Sequence, residues 1–486
     1  MTLPTRTVLI GSAAFAALAI AGAVRGSATT GVVAVPRYQP PAAEPVAALK
    51  HRPVGMAGCL AAACHGGPAE KTLARTFDGH TWQSSGSCWV AADPHTAAYS
   101  LLTDAPNRPV KVTAKHIMDR YAPGKPATEE ARCVACHTNP ALAAPEKFND
   151  PHSRELRKEG VSCEACHGNA GGWVSNHTTW KGERGKVYAD TGMNPLYDIG
   201  ARAITCAGCH VGAPADPERG IPVRDMNHDM IAAGHPRLNF DFAEYQRRLP
   251  QHWQEKDRTT DSPRTLNAVK VWLVGRYAHA EAACKLLEDR AARAGAGEER
   301  SPWPELAEFN CAACHHNLRV AGENEKYPNW RRSAEYLGDR PPGSAPWQMI
   351  WPVGYAPGIP KPERGKSELS EVIRMMEKNR PASANTAKVV AGNSAGELHT
   401  KRVSLVGRPD AEVEAEARSY FPPGAPLVPE WDTARQLFFG LAALDRTRPK
   451  YSDGLLQDYR QGVKSFREQD WSGVEKAFEA IRKAEK

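Results

Sequence analysis

Alternating apolar and polar residues, the mark of a half-buried β-strand, are almost absent from this 486-residue chain. Sheet-based architectures are thereby removed, and the expected fold class is mainly α with extensive irregular loops. Cysteine is missing from everything beyond Cys314, which confines any thiol chemistry to the part of the chain before it. What the sequence has in quantity is proline and glycine, 39 and 40 residues. That composition suits a loop-rich protein whose core is built around something besides its own side chains. With 41% hydrophobic and 24% charged residues, the chain is otherwise of ordinary soluble character and long enough for two or three domains.

The N-terminus carries Arg6, an uncharged apolar run from Thr7 to Val24, and then Arg25 among small residues. Residues 1–28 therefore read as an export signal peptide or an N-terminal membrane anchor, followed by a Pro-rich linker at 29–50. Ten of the twelve cysteines fall in five clusters between Cys59 and Cys314, which places the functional domain at 51–340. A second Pro-rich stretch at 341–366 marks a boundary, and 367–486 reads as a helical C-terminal region. Within that region Leu369, Val372, Ile373 and Met376 recur at helical spacing, and Asp432 stands as a cap before Leu437, Phe438, Leu441 and Leu444. One long helix is expected inside the functional domain. Ser262 and Pro263 stand at its start, and its apolar stripe runs through Leu266, Val269, Leu273, Tyr277, Ala280, Cys284 and Leu287.

Each cysteine cluster ends in Cys-His. Four have the form Cys-x-x-Cys-His: Cys133/Cys136/His137, Cys163/Cys166/His167, Cys206/Cys209/His210 and Cys311/Cys314/His315. Composition alone predicts on the order of 0.01 such motifs in a chain of this size, so chance is excluded. This is the c-type haem attachment signature. Two thiols two residues apart reach the two vinyl groups of one porphyrin, and the following imidazole becomes the proximal iron ligand. Zinc sites and disulfides use paired cysteines too, but neither requires a histidine after every pair. Cys59 and Cys64 precede His65 with four residues between the thiols instead of two, a variant attachment site or a disulfide beside an incidental histidine. Five covalent haem groups (heme c) are expected. Their propionates would add roughly ten carboxylates, so the formal charge of +7 is largely internal and nucleic-acid binding is not expected.

Seventeen histidines leave ample imidazoles for the far side of each iron. The candidates are His95, His116, His177, His228 and His235, with His80, His152, His252, His279 and His316 behind them; His51 and His399 lie at or beyond the edges of the domain. Any one of these could equally be a surface or hydrogen-bonded imidazole. Cys284, on the apolar stripe, reads as a buried inert thiol. Cys88 is less readable, and a Cys88–Cys284 disulfide stays open.

The run from Cys59 to His65, then Trp89 with Asp93-Pro94-His95-Thr96-Ala97-Ala98-Tyr99, then Gly160 to Gly168, resembles the periplasmic multihaem cytochromes c related to the tetrahaem cytochrome c of nitrifying bacteria. The stretch from Asn227 to Phe242 is similar to the same group. The likeness spans roughly residues 55–335 and omits the tail. It implies a compact array of closely paired haems, mostly with two histidine ligands, that passes electrons between periplasmic or membrane-bound redox partner proteins. It also implies distal roles for His95, His177 and one of His228 or His235. The haem count and the helical tail depart from the tetrahaem pattern.

The leading expectation is an exported five-haem electron carrier in the periplasm, held free or anchored to the inner membrane, with a tail that reads as a small helical bundle; a third reading has that tail bind a partner and hold the cytochrome within a larger respiratory complex. The alternative is an oxidoreductase acting on a small nitrogen or sulfur compound at a haem with an open iron position.

Overall fold

The computed structural model describes residues 52–68, 82–104, 112–144, 149–179, 190–238, 240–253, 265–298, 301–309, 368–376 and 382–420, with a few single positions besides. The chain divides into Met1–Glu44 and Pro45–Lys486. The first unit lies outside the described residues, as do the expected export segment, both Pro-rich linkers, the motif at Cys311/Cys314/His315, the Asp432 cap and the end of the tail.

The expectation of a mainly α chain holds. Among the described residues no strand forms, and the only β pairing is two isolated antiparallel bridges, Ala213 with Arg224 and Asp216 with Ile221. The helices are α1 (Ser85–Ala92), α2 (Ala114–Tyr121), α3 (Ala131–His137), α4 (Pro151–Arg157), α5 (Cys163–His167) and α6 (Ile199–His210). They continue as α7 (His228–Ala233), α8 (Phe242–Arg248), α9 (Ala268–Gly295), α10 (Glu368–Met376), α11 (Ala384–Gly407) and α12 (Asp410–Ser419). No helix among the described residues is long and apolar enough to cross a membrane.

Most helices before α9 are too short to persist alone, so their ends are fixed by side chains. Asp150 accepts from the Ser153 amide, Asp198 from Gly200 and Ala201, Asn227 from Met230, and Asp241 from Glu244. The long helix α9 begins later than the sequence suggests. Its cap is Asn267, whose side chain accepts from the Val269 and Lys270 amides, and Ser262 and Pro263 lie outside the described residues. Leu266 thus precedes the helix. Val269, Leu273, Tyr277, Ala280, Cys284 and Leu287 are buried as expected, but so are Val274, Ala278, Ala282 and Ala291. The stripe widens into a nearly complete sleeve because α9 is covered from several sides, which is the pattern of a helix embedded in a core.

Its main cover is α11, which meets α9 through Ala387, Ala391, Ala395, Leu398 and Leu405. Small alanines on that face let the two backbones approach closely. The same core includes Ile199, Ala203 and Ala207 of α6, Phe242 of α8, Leu369 and Val372 of α10, and Val413 and Ala417 of α12. The helices after position 367 therefore share one apolar core with α9, and α9 shares it with a haem-motif helix.

Buried ion pairs pin this arrangement. Glu281 on α9 has no exposed surface and accepts from Arg402 of α11 at 2.6 Å and from Lys285 at 2.7 Å. Burial pushes its carboxyl up, but Arg402 and Lys285 outweigh that and hold it below its ordinary value. Arg290 bonds Glu308 at 2.7 Å and also Asp225, which Arg293 reaches at 2.6 Å. Cys284 is a free thiol facing the Ser394 hydroxyl at 3.7 Å, and Cys88 is also free and buried, so the two form no disulfide.

Replacing Arg402 with Met should remove the main partner of a fully buried carboxylate and lower unfolding free energy by about 3–5 kcal/mol. Denaturant unfolding followed by helical circular dichroism checks this; an unchanged midpoint would mean that the Glu281–Arg402 pair does not join α9 to α11.

Candidate haem site

The four described Cys-His motifs converge on one cavity of about 2040 Å³, lined by Cys59, Cys64, His65, Cys133, Cys136, His137, Cys163, Cys166, His167, Cys206, Cys209 and His210. Pockets for a single small ligand run to about 1,000 Å³, so this space is of the size needed for several large groups. The three regular motifs ride on helices. Cys133–His137 ends α3, Cys163–His167 is the whole of α5, and Cys206–His210 is the last turn of α6. A helical turn puts residues three apart on one face, which is what two thiols need to grip one ring edge. The irregular motif instead follows a 3₁₀ turn at Met56–Gly58 and folds back on itself: the His65 amide donates to Cys59 O at 3.1 Å, and Cys64 to Ala61 O at 2.8 Å. The four intervening residues are taken up by this loop.

Of the sequence candidates, His95, His177 and His235 line the cavity; His116 and His228 do not. His116 sits exposed on α2 with its Nε2 against the Arg120 guanidinium, and His228 starts α7 with its amide donating to Glu305 at 2.9 Å. The three cavity imidazoles each face a proximal one. Ring centres are 6.3 Å apart for His65 and His177, 6.3 Å for His95 and His210, and 6.4 Å for His137 and His235. An ion bound by two imidazoles at about 2 Å each holds ring centres about 6.3 Å apart. All three separations leave room for one intervening ion, and they also lie within the range of ordinary ring contacts, such as His210 with Phe240 at 6.3 Å.

Second contacts orient these rings. Nδ1–H donates to Ala98 O in His137, Val174 O in His177 and Pro236 O in His235, each at 2.8 Å. Nδ1 of His65 meets the Ser85 hydroxyl at 2.8 Å, and that of His95 meets Asp93 Oδ1 at 2.8 Å. A carbonyl or carboxylate on Nδ1 fixes the proton there and leaves Nε2 as the lone-pair donor, as ligand histidines require. Gly160 secures the backbone of His95. Its φ of +73° is open to glycine, and a Cβ there would stand 2.6 Å from His95 O, which accepts the Val161 amide at 3.1 Å.

A metal ligand must also be unprotonated. Burial pushes the His167 imidazole down to about 4, helped by neighbouring imidazoles, and His210 down to about 4. Burial lowers His235 and His252 as well. His252 is a cavity residue that the sequence ranks only among secondary candidates. It is within electrostatic reach of His167, and its Nδ1 faces Pro250 O at 3.4 Å. No spacing from a motif distinguishes it, because the chain between Asp198 and His252 must fold before the two meet.

Two buried polar atoms on the cavity wall lack partners among the described residues: Trp173 Nε1, beside His177 with ring centres 5.5 Å apart, and Arg224 Nε. Arg132, Arg202 and Arg248 also line the space. A guest carrying carboxylates at the edge of an apolar body, as haem does, satisfies both the orphaned donors and the apolar wall. Among the described residues no three or more His, Cys, Asp or Glu gather as a bare metal site; the imidazoles face one another in twos.

Residues 83–168 match the family model described as "Cytochrome c554 and c-prime". That segment spans α1 to α5, with two of the regular motifs, His95 and Asp93. The likeness is to a family of c-type cytochromes, for which it implies covalently bound haem and suggests haem-based electron transfer. Comparison with curated proteins and comparison with solved structures each gave no match.

His177→Ala in the haem-loaded protein should convert one iron from low to high spin with no loss of attached haem, while His116→Ala should leave the spectrum unchanged. Absorption and electron paramagnetic resonance spectra check both. A silent His177→Ala spectrum would contradict the facing-imidazole assignment.

Proposed function

We propose that this chain is a periplasmic five-haem c-type cytochrome that carries electrons between redox partner proteins. The observation that carries this reading is the set of facing imidazoles at 6.3 to 6.4 Å across the motif-lined cavity. Bound at these sites, haem supplies a one-electron centre whose iron is closed to small molecules when both axial positions are filled. Cys59/Cys64, Cys133/Cys136, Cys163/Cys166, Cys206/Cys209 and Cys311/Cys314 hold the groups. His65, His137, His167, His210 and His315 are the proximal ligands. His177 opposes His65, His95 opposes His210, His235 opposes His137, and His252 is assigned opposite His167.

Thiols of different motifs adjoin in a definite order. Cys59 is electrostatically linked to Cys163, Cys166 lies within electrostatic reach of Cys206, and Cys209 is linked to Cys136, its Sγ standing 4.0 Å from Ala135 O. Among the four described motifs, those at His65, His167, His210 and His137 are neighbours in that order, and short separations favour transfer along them. Both ends of this order reach the surface. Cys64 is exposed at one end, and at the other Val110 and Val112 are exposed on the cavity wall, with Val112 close to Gly234 beside His235. Partner proteins are assigned to these two ends. Export rests on the N-terminal sequence, with residues 1–28 removed as a signal peptide or kept as an inner-membrane anchor; docking by the helical tail is a further part of the proposal.

Intact mass of the exported protein should exceed that of the processed polypeptide by about 3 kDa, five haems' worth, and the increment should survive denaturation because the links are thioethers. Changing Cys59 and Cys64 to Ser together should remove one fifth of it. An increment of four haems in the native protein would remove the irregular motif from the set.

A further inference from the structure

We infer that Asp93 sets the reduction potential of one haem, making the iron shared by His95 and His210 the most reducing in the cavity. This rests on the ligation proposed above for those two histidines.

The outer nitrogens of the ligand imidazoles meet unlike partners. For His137, His177 and His235 the partner is a neutral backbone carbonyl, and for His65 a serine hydroxyl. For His95 it is a carboxylate, at 2.8 Å. Asp93 is itself buried, 6% exposed, and it lines the same cavity. The oxygen that meets the ring also accepts the His95 backbone amide at 2.9 Å, because Asp93 caps the 3₁₀ turn Pro94–Ala97. Asp93 and His95 are thus locked into one short turn, and the ring cannot leave the carboxylate without unwinding it. Among the described residues no lysine or arginine pairs with Asp93; its ion-pair partner is His95.

Two effects follow, and they have the same sign. A carboxylate drawing on the Nδ1 proton gives the imidazole more anionic character and makes Nε2 a stronger donor to iron. A buried negative charge that lacks a counter-cation also favours the state of the iron with one more positive charge. Both stabilise the oxidised form over the reduced form. A carbonyl oxygen, with only a partial charge, does less of each. The haem of His95 and His210 should therefore give up its electron most readily. Among the described motifs it lies between those of His167 and His137, so it acts as a step that electrons cross and not as a resting place.

Asp93→Asn keeps the size of the side chain and an oxygen for the turn while removing the charge; Asp93→Ser keeps a capping hydroxyl. Potentiometric titration of the haem-loaded proteins should show the lowest reduction wave moved up by ~59 mV or more, a tenfold change in the reduced-to-oxidised ratio at fixed potential. The other waves, the haem content and the low-spin spectrum should be retained. Unmoved waves in a fully loaded, low-spin variant would overturn the role of Asp93. If neither variant takes up haem, the unaltered protein decides: the ring planes of His95 and His210 stand 73° apart and those of His65 and His177 20°, so the haem of lowest potential should show the large-gmax signal of crossed imidazole planes, and a lowest-potential haem with the rhombic signal of near-parallel planes would overturn the proposal. His95→Ala separates the two levels of the argument. A high-spin signal there with unmoved waves in Asp93→Asn rejects the tuning alone, whereas no high-spin signal rejects the ligation on which it rests.

Discussion

The cavity is organised by imidazoles that face one another in pairs. A separation of 6.3 to 6.4 Å recurs for His65 and His177, His95 and His210, and His137 and His235, the spacing at which two imidazoles hold one ion between them. Five of these six rings are fixed from behind through Nδ1, and burial favours the neutral form of His210 and His235, so lone pairs are presented inward. The surrounding chain is short helices joined by irregular segments because its task is to deliver these rings and the thiols beside them. The interior is a shared cavity with apolar walls and a few unpaired donors, beside a small packed cluster of Leu102, Met118, Val134, Ala135 and Met230 at the Cys133 motif.

The larger packed core lies around α9, and it gives the cavity a firm side. α6 belongs to both, since Ala203 and Ala207 sit in the α9 core while Cys206, Cys209 and His210 line the cavity. Asp225 also belongs to both, bonding Arg290 and Arg293 of α9 and standing on the cavity wall next to Arg224. Through the Glu281–Arg402 pair the helices after position 367 are part of the same support.

Much of this was legible in the sequence because its signals are local. Cys-x-x-Cys-His is complete within five residues, and the near absence of strand alternation needs only short windows. The α9 stripe was legible in part: its apolar positions are buried, but its start at Asn267 and its burial on further sides depend on α6, α8 and α11, which arrive from far along the chain. The facing histidines are long-range in the same way. His177 was favoured by resemblance and does face His65, but His116, favoured for standing before a motif, is exposed on α2. His228 and His235 lie seven residues apart and look alike in sequence, yet the turn at Gly234 sends only the second to the cavity. Trp173 and Arg224 carry no sequence signal, since an orphaned donor exists only once a wall is built.

The central claim is that facing histidines close the irons of a haem array. Near-infrared magnetic circular dichroism of the oxidised, haem-loaded protein reads it directly, because the charge-transfer band of a low-spin ferric haem reports its pair of axial ligands. The account predicts bis-imidazole intensity equivalent to at least three haems per chain, unaltered by added carbon monoxide after reduction and reoxidation. Bis-imidazole intensity of two haems or fewer, with the remainder high-spin, would contradict it.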